Sequence, residues 1–306
     1  MAQGKSTAER VALGLVQMRC GRDPDDNLNS ALKGIAEAAR RGSRIVCLPE
    51  LFRTQYFCQA QSTEAFDLAE SVPGPTTRTL SAAARHHGTV IVGSVFERRA
   101  AGIYHNTAVV FDADGSHLGA YRKMHIPDDP LYYEKFYFTP GDLGFRVFRT
   151  RYGRVAPMIC WDQWFPEAAR SAALAGAEFL VYPTAIGWHP REKQECGRGQ
   201  VDAWRIAQRA HAISNGVFVA AVNRTGLERP LEDPASRPVD YSGLEFWGRS
   251  FVAGPLGGIV AEAGQAPTVL IAECDRAEIE RTRRDWPFLR DRRIDAYGAL
   301  AERTIE

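Results

Sequence analysis

The chain has 306 residues, with 38 lysines and arginines against 37 aspartates and glutamates, so its formal net charge is +1. Hydrophobic residues make up 45% and charged residues 25%, a balance that excludes a disordered, collagen-like or coiled-coil chain. A chain of this length can bury a sizeable core, and we expect a single α/β domain over residues 1–306. The near-neutral charge gives no electrostatic reason to expect nucleic acid or an anionic membrane as a partner.

The six cysteines form no closely spaced pair of the CxxC type. Zinc sites and redox motifs need such pairs, so we expect no metal and no cofactor, and a disulfide framework is disfavoured. An apolar run at 11–18 follows two basic residues, but it is short, contains Gln17 and lacks a small-residue cleavage pattern, which disfavours a signal peptide. No stretch reaches the roughly 18 uncharged apolar residues of a membrane span. We therefore expect a soluble, cytoplasmic protein.

Predicted strands and helices alternate along the first half of the chain. Residues 27–41 carry apolar side chains at three- and four-residue steps, which is typical of a helix with one buried face. An Asp-Ala-Asp-Gly run at 112–115 indicates a hairpin. Strands are predicted at 11–17, 44–48, 89–95, 104–111 and 118–122, and helices at 27–41 and 76–87.

The second half repeats this alternation, and no Ser/Gly-rich linker separates it from the first. A Gly-Pro-Leu-Gly-Gly run at 254–258 indicates a second hairpin. Strands are predicted at 154–159, 179–182, 217–222, 250–253 and 259–261, and helices at 166–174 and 202–215. Hairpins mixed with crossovers predict sheets of both strand orientations with helices packed on them.

Three reactive side chains lie just beyond the ends of predicted strands, where loops place functional groups on a rigid scaffold. They are Glu50, Lys123 and Cys160. Singly, each has an ordinary explanation as a solvated carboxylate, a surface ammonium or an inert buried thiol. Together, a thiol before a helix, a carboxylate among apolar neighbours and a lysine form a consistent set for nucleophilic catalysis.

The three residues lie in the runs LPELF at 48–52, YRKMHIP at 121–127 and CWDQWFPE at 160–167. Lys123 follows Glu50 by 73 residues and Cys160 follows Lys123 by 37. The runs, their order and their spacing resemble the three signatures of the nitrilase (carbon–nitrogen hydrolase) superfamily, and the resemblance extends from the strand at 11–17 to the FLRDRR run at 288–293. YFCQ at 56–59 and the run after Cys160 are similar to the N-carbamoylputrescine amidase branch.

This resemblance implies a four-layer α-β-β-α sandwich of two mixed sheets, assembled into a homodimer or a larger homo-oligomer. We expect the arginine-rich C-terminal tail, at about 281–306, to contact a partner subunit. The acidic residues interleaved with those arginines argue against nucleic acid as the tail's partner.

The resemblance also implies the chemical roles. Cys160 would be the nucleophile, Glu50 the general base, and Lys123 with the backbone N–H of Trp161 would hold the tetrahedral oxyanion. A thioester would form and be hydrolysed by water that Glu50 activates. Glu134 matches a position where the family often has a second glutamate, which supports the lysine or the substrate; an exposed loop carboxylate is the alternative.

For the substrate, we expect a small linear N-carbamoyl amine, cleaved to an amine, carbon dioxide and ammonia, in keeping with a place in polyamine biosynthesis. The candidate pocket walls are aromatic: Tyr132, Trp161, Trp164, Phe165 and Trp188. The branch follows its Thr-Ala-Ile-Gly run with Ser-Glu-Pro, whose glutamate would face a distal ammonium, whereas this chain has Trp188, His189 and Pro190. The candidates to replace that carboxylate are Glu192, Glu195 and Asp202.

Two other functions stay open at this point. One is hydrolysis of another linear amide, of an N-carbamoyl-β-amino acid or of a nitrile; nitrilases tend to have Glu-Asn after the Cys-Trp pair, where this chain has Asp162 and Gln163. The other is a catalytically silent assembly protein of the same fold, which would not need to keep Glu50, Lys123 and Cys160. Whether residues 188–200 form a lid is also left open.

Overall fold

The computed structural model describes residues 10–231 and 242–305. Numbered in chain order within these residues, the strands are β1 (Arg10–Gln17), β2 (Ile45–Cys47), β3 (Val90–Ala100), β4 (Ile103–Phe111), β5 (His117–Arg122), β6 (Phe148–Thr150), β7 (Gly153–Pro157), β8 (Phe179–Thr184), β9 (Gly187–Trp188), β10 (Phe218–Asn223), β11 (Thr225–Glu228), β12 (Leu244–Trp247), β13 (Phe251–Ala253), β14 (Ile259–Glu262) and β15 (Thr268–Asp275). The α-helices are α1 (Pro24–Arg40), α2 (Pro75–His87), α3 (Glu134–Tyr137), α4 (Pro166–Leu174), α5 (Gly197–Asn215) and α6 (Ala277–Asp285). Short 3-10 helices lie at Phe57–Gln59, Glu64–Leu68, Cys160–Trp164, Ile294–Ala296 and Gly298–Ala301.

The described strands form two large mixed sheets and one small sheet. The first large sheet has the order β15-β1-β2-β3-β4-β5 and the second has the order β14-β13-β10-β8-β7-β6. Strands β1, β2 and β3 run parallel, as do β7, β8 and β10, while the flanking strands pair antiparallel. The small sheet has the order β11-β12-β9.

The two large sheets face each other, and helices cover their outer faces. Side chains of both sheets, such as Leu13 and Leu15 from β1 and Val181 from β8, share one buried cluster. Helices α1 and α2 pack on the outside of the first sheet, whereas α4 and α5 pack on the outside of the second. The predicted α-β-β-α sandwich is therefore confirmed.

Helix α1 shows how local sequence signals produce one of these layers. The Asp23 carboxylate caps its first turn by accepting hydrogen bonds from two backbone N–H groups, and Pro24 occupies the first helical position. Ala31, Ile35 and Ala38 then form the buried face that packs on the sheet. The helix therefore begins three residues earlier than the apolar pattern alone predicted.

Other elements also differ from the predicted ones in their bounds or were not predicted. Helix α5 begins at Gly197 rather than at residue 202, and β3 continues to Ala100 because it pairs with β4 along its length. The strands and α-helices that were not predicted are β6, β9, β11, β12, β15, α3 and α6. Strand β15 is an edge strand with an irregular pattern of burial, so its sequence carries only a weak alternation.

The chain beyond α6 lies largely at the surface, with Trp286, Ile294 and Leu300 exposed. Contact between this tail and a partner subunit stays a prediction. None of the described helices is both long enough and apolar enough to cross a membrane.

Two helical glycines provide a test of how tightly α1 packs on the sheet. A Cβ atom at Gly34 in α1 would lie 2.4 Å from Val16 Cγ1, whereas a Cβ at Gly199 in α5 would meet nothing within 4 Å. We expect Gly34→Ala to lower the free energy of unfolding by about 1–3 kcal/mol because it overpacks the interface. Gly199→Ala should leave the free energy unchanged or raise it by up to about 1 kcal/mol through helix propensity. Urea denaturation of both variants measures the two changes in the free energy of unfolding. Equal changes at the two positions would contradict the tight packing of α1 on the sheet.

Candidate active site

Cys160 lies in a sharp turn at the end of the second sheet. Strand β7 ends at Pro157, Met158 continues the pairing by donating its N–H to the Val181 carbonyl at 2.9 Å, and Cys160 begins a short 3-10 helix. The φ angle of Cys160 is +41°, a left-handed conformation that costs a non-glycine residue energy and often marks a functional position. The turn leaves the thiol buried, with 4% of the residue exposed.

The carboxylate of Asp162 holds this turn in place. Its Oδ2 accepts hydrogen bonds from the Ile159 N–H at 2.9 Å and the Tyr121 hydroxyl at 2.7 Å, and its Oδ1 accepts one from the His125 N–H at 3.1 Å. Because Tyr121 and His125 belong to β5 and the loop after it, Asp162 ties the nucleophile turn to the other sheet. No role for Asp162 was predicted from the sequence, although its place as an acidic residue between Trp161 and Trp164 was a signal.

Glu50 and Lys123 come from the first sheet, where they follow β2 and β5. Both side chains are completely buried, and Lys123 Nζ donates to Glu50 Oε1 at 2.8 Å. Asn106 on β4 donates its side-chain Nδ2 to the same oxygen at 2.6 Å, and its main-chain carbonyl accepts the Lys123 N–H at 2.9 Å. Asn106 was also missed from the sequence, where it is one polar residue in a strand that is otherwise mostly apolar.

Glu134 is the second carboxylate on Lys123. Its Oε2 accepts a hydrogen bond from Lys123 Nζ at 2.6 Å, and its Oε1 accepts one from the Tyr56 hydroxyl at 2.7 Å. Glu134 is fully buried at the start of α3. The alternative of an exposed loop carboxylate is therefore wrong.

The three buried charges set one another's protonation. Burial disfavours the Lys123 ammonium, but the carboxylates of Glu134 and Glu50 outweigh this and hold the pKa of Lys123 well above its usual value. Burial raises the pKa of Glu134 to about 7; Lys123 opposes this rise and the Glu50 charge adds to it. The lysine is therefore charged over the whole physiological pH range, whereas Glu134 exchanges a proton near neutrality.

Cys160 is a protonated thiol at rest. Burial raises its pKa well above the usual value, the negative charge of Glu50 adds to this, and Lys123 opposes it only in part. Its Sγ makes a hydrogen bond of 3.8 Å with the Ala185 carbonyl. The position before a helix therefore does not produce a resting thiolate, and attack by Cys160 needs a base.

Glu50 has a free oxygen suited to that task. Its Oε1 is held by Lys123 and Asn106, but its buried Oε2 has no hydrogen-bond partner among the described residues. A buried acceptor without a donor is costly and calls for an explanation. The negative charge of Glu50 also raises the pKa of the Cys160 thiol, so the two groups interact electrostatically.

Cys160 opens onto a cavity of about 420 Å³. Of the predicted site residues, the cavity is lined by Tyr132, Cys160, Trp161, Trp164 and His189. Three polar residues that line it as well are Asp129, Glu192 and Gln200. Glu50, Lys123 and Glu134 are fully buried and are not among the residues that line this cavity.

Two predicted wall residues do not line this cavity. Trp188 donates its Nε1–H to the Gly197 carbonyl at 2.9 Å, and its ring packs 5.5 Å from that of Trp247, which does line the cavity. Phe165 stacks on the His125 ring, with 3.7 Å between the ring centroids. The rings of Trp188 and Phe165 therefore pack against other residues of the protein and do not form part of the cavity wall.

Of the three residues proposed to replace the missing glutamate, only Glu192 lines the cavity, whereas Glu195 and Asp202 do not. No group of three metal-ligating side chains suited to a metal ion occurs in residues 10–231 and 242–305.

Comparison with known proteins places this geometry in a family. Residues 12–284 match the carbon–nitrogen hydrolase family. The chain is 44% identical over 292 residues to an N-carbamoylputrescine amidase from Solanum lycopersicum, which covers 95% of this chain and 94% of that protein. It is 37% identical over 295 residues to a citrullinase from Francisella tularensis, which covers 96% and 99%.

Solved structures agree. A carbon–nitrogen hydrolase from Helicobacter pylori G27 superimposes with a TM-score of 0.92 at 45% identity, covering 97% of this chain and all of that one. The chain therefore belongs to the carbon–nitrogen hydrolase family of the nitrilase superfamily and is a hydrolase of carbon–nitrogen bonds other than peptide bonds.

Proposed function

We propose that this protein hydrolyses a small linear N-carbamoyl amine through a covalent intermediate on Cys160. The observation that carries this proposal is the buried Glu50 carboxylate: Lys123 holds one of its oxygens, the other has no donor among the described residues, and its charge raises the pKa of the Cys160 thiol. A thiol of raised pKa needs a base at the moment of attack, and Glu50 Oε2 is the free acceptor. Two relatives act, by their names, on N-carbamoylputrescine and on citrulline, which share the carbamoylated nitrogen.

In the first half of the reaction, Cys160 Sγ adds to the carbamoyl carbon while its proton passes to Glu50. The substrate oxygen becomes an oxyanion, which needs donors placed in advance. An ammonium has three N–H bonds, and Lys123 gives two of them to Glu50 and Glu134, so the third is left for the oxyanion. The Trp161 N–H, in the first turn of the 3-10 helix, has no acceptor within that helix and supplies a second donor.

The tetrahedral intermediate then collapses. The carbon–nitrogen bond breaks, the departing amine takes the proton from Glu50, and a carbamoyl thioester remains on Cys160. Glu50 next removes a proton from water, which attacks the thioester and releases carbamate and the thiol. Carbamate decomposes to carbon dioxide and ammonia.

The cavity favours a substrate with a positively charged distal end. Asp129 and Glu192 lie exposed on its lining, and none of the residues that line it is a lysine or an arginine. Asp129 is held in a tight turn with Tyr132, whose N–H donates to the Asp129 carbonyl at 2.8 Å. These carboxylates would attract the ammonium of N-carbamoylputrescine and repel the carboxylate of N-carbamoyl-β-alanine.

We also propose that the protein acts in the cytoplasm as a homo-oligomer. The absence of disulfides among its six cysteines, all of which are free and within the described residues, supports a reducing compartment. The exposed apolar side chains of the C-terminal tail support contact with another subunit.

The catalytic roles are tested by Cys160→Ala, Glu50→Gln and Lys123→Ala. Each should lower the kcat of the folded protein by about 10³-fold or more, and double variants should be scarcely worse because the three residues act together. Lys123→Ala should also lower the Tm, because it leaves two buried carboxylates without their cation. Ammonia release is measured with N-carbamoylputrescine, N-carbamoyl-β-alanine and a simple aliphatic amide as substrates. Cys196→Ala, which removes an exposed thiol, is the control that keeps activity. A Glu50→Gln enzyme that retains a large fraction of activity would refute the base assignment.

The pKa of Glu134 predicts a pH-dependent stability. Because this pKa is raised from 4.5 to about 7, the folded protein keeps a proton that the unfolded chain has lost between these values. The contribution of Glu134 to the free energy of unfolding therefore falls as the pH rises from 4.5 to 7, and it is constant above that range. We expect the Tm of the wild type minus that of Glu134→Gln to be smaller at pH 8 than at pH 5. A difference that stays constant or grows with pH would be inconsistent with the raised pKa.

The acidic cavity lining predicts charge selectivity. Replacing both carboxylates, in Asp129→Asn with Glu192→Gln, should lower kcat/KM for N-carbamoylputrescine by about three- to tenfold, as expected for exposed ion pairs. Turnover of n-pentylurea, which has a methyl group in place of the ammonium, should not change. Asp128→Asn with Glu195→Gln is the matched control, since both residues are exposed and neither lines the cavity. Equal losses for the cationic and the neutral substrate would count against an electrostatic role.

A further inference from the structure

A buried arginine outside the cavity contacts the turn that carries Glu50. Arg224 follows β10, and its side chain has no exposure to solvent. Its Nη2 donates to the main-chain carbonyl of Glu50 at 2.6 Å and to that of Leu51 at 2.9 Å. Its Nη1 donates to the carbonyl of Thr54 at 3.2 Å. One guanidinium thus holds three carbonyl oxygens of the turn at 50–54.

This turn needs to be held. Leu51 has a φ angle of +47°, and a left-handed conformation at a non-glycine residue persists only when its surroundings impose it. The Leu51 N–H is fixed by the Ser94 hydroxyl at 3.0 Å, and the carbonyls on either side of it are fixed by Arg224. Glu50 immediately precedes this strained residue, so the orientation of its carboxylate depends on the conformation of the turn.

Arg224 is itself paired with Glu228, and this pair extends to the second carboxylate of the site. Arg224 Nη1 donates to both carboxylate oxygens of Glu228, at 3.0 and 2.9 Å. Glu228 Oε2 in turn accepts the Tyr56 N–H at 2.7 Å, and the Tyr56 hydroxyl donates to Glu134. The pair therefore contacts the main chain at both Glu50 and Tyr56.

Neither member of the pair lines the cavity, and their hydrogen bonds go to protein groups: the carbonyls of the turn at 50–54, the Tyr56 N–H and each other. We propose that the Arg224–Glu228 ion pair is a positioning device for the two carboxylates on Lys123. It fixes Glu50 through the carbonyls of its turn and Glu134 through Tyr56. This inference rests on the catalytic roles proposed for Glu50 and Lys123.

The guanidinium geometry is essential to this role. Arginine presents five N–H donors in a planar fork, so it can serve carbonyls on one edge and a carboxylate on another. A lysine would keep the charge and the pairing with Glu228 but could not hold the carbonyls of Glu50, Leu51 and Thr54 together.

The test compares Arg224→Lys and Glu228→Gln with a matched control, Arg276→Lys. Arg276 also forms a largely buried pair, with its Nη2 2.5 Å from Glu178 Oε1, but it follows β15 and lines no part of the cavity. We expect both site variants to lower kcat by about 10- to 100-fold, the scale of a small misplacement of a catalytic group, with KM within about threefold of the wild type. The control variant, Arg276→Lys, should have a lower Tm than the wild type but the same kcat per folded molecule.

Tyr56→Phe extends the test and covers the case in which the Arg224 variant does not fold. It removes only the hydroxyl contact to Glu134, and we expect it to lower kcat about tenfold at unchanged KM. Wild-type kcat in folded Arg224→Lys, or in both Glu228→Gln and Tyr56→Phe, would overturn the positioning inference. Turnover by Cys160→Ala would instead show that the proposed function itself is wrong, so the two failures are distinguishable.

Discussion

The ammonium of Lys123 lies between two carboxylates with no exposure to solvent. Removing even one charge from water costs several kcal/mol, and attraction between partners offsets this only when their remaining hydrogen-bonding atoms are also satisfied. The surrounding polar residues follow from that requirement: Asn106 donates to Glu50, and Tyr56 donates to Glu134. Of the four carboxylate oxygens of Glu50 and Glu134, only Glu50 Oε2 has no partner among the described residues, as the role proposed for Glu50 as a proton acceptor requires.

The sandwich fold sets the distance between this charge cluster and the nucleophile. Glu50 and Lys123 follow strands of the first sheet, whereas Cys160 follows a strand of the second, so the separation of base and thiol depends on how the two sheets pack. The apolar cluster between the sheets fixes that packing, and Asp162 adds a direct polar link by binding both the Cys160 turn and the loop after β5. A change in the inner core would therefore alter catalysis without touching any residue of the site.

The sequence was informative where a property is local. Apolar runs and hairpin signals located most strands and helices to within a few residues, and three short motifs located Glu50, Lys123 and Cys160. It was uninformative where a property depends on contacts between distant segments. The burial of Glu134 depends on Lys123 and Tyr56, and the placement of Trp188 behind the cavity depends on Trp247 and Gly197.

Burial has a further consequence for the chemistry of Cys160. A helix N-terminus can lower the pKa of a thiol, but desolvation and the Glu50 charge raise that of Cys160 and keep it protonated, in keeping with the need for a base. Since oxidation and unspecific alkylation follow thiolate character and exposure, this thiol is protected until a substrate enters. In the proposed mechanism, the same environment makes Glu50 indispensable, because the thiol becomes reactive only by transferring its proton. Protection of the thiol and its dependence on Glu50 therefore have the same electrostatic cause in that mechanism, and the turn at 50–54, which Arg224 holds, sets the position of that base.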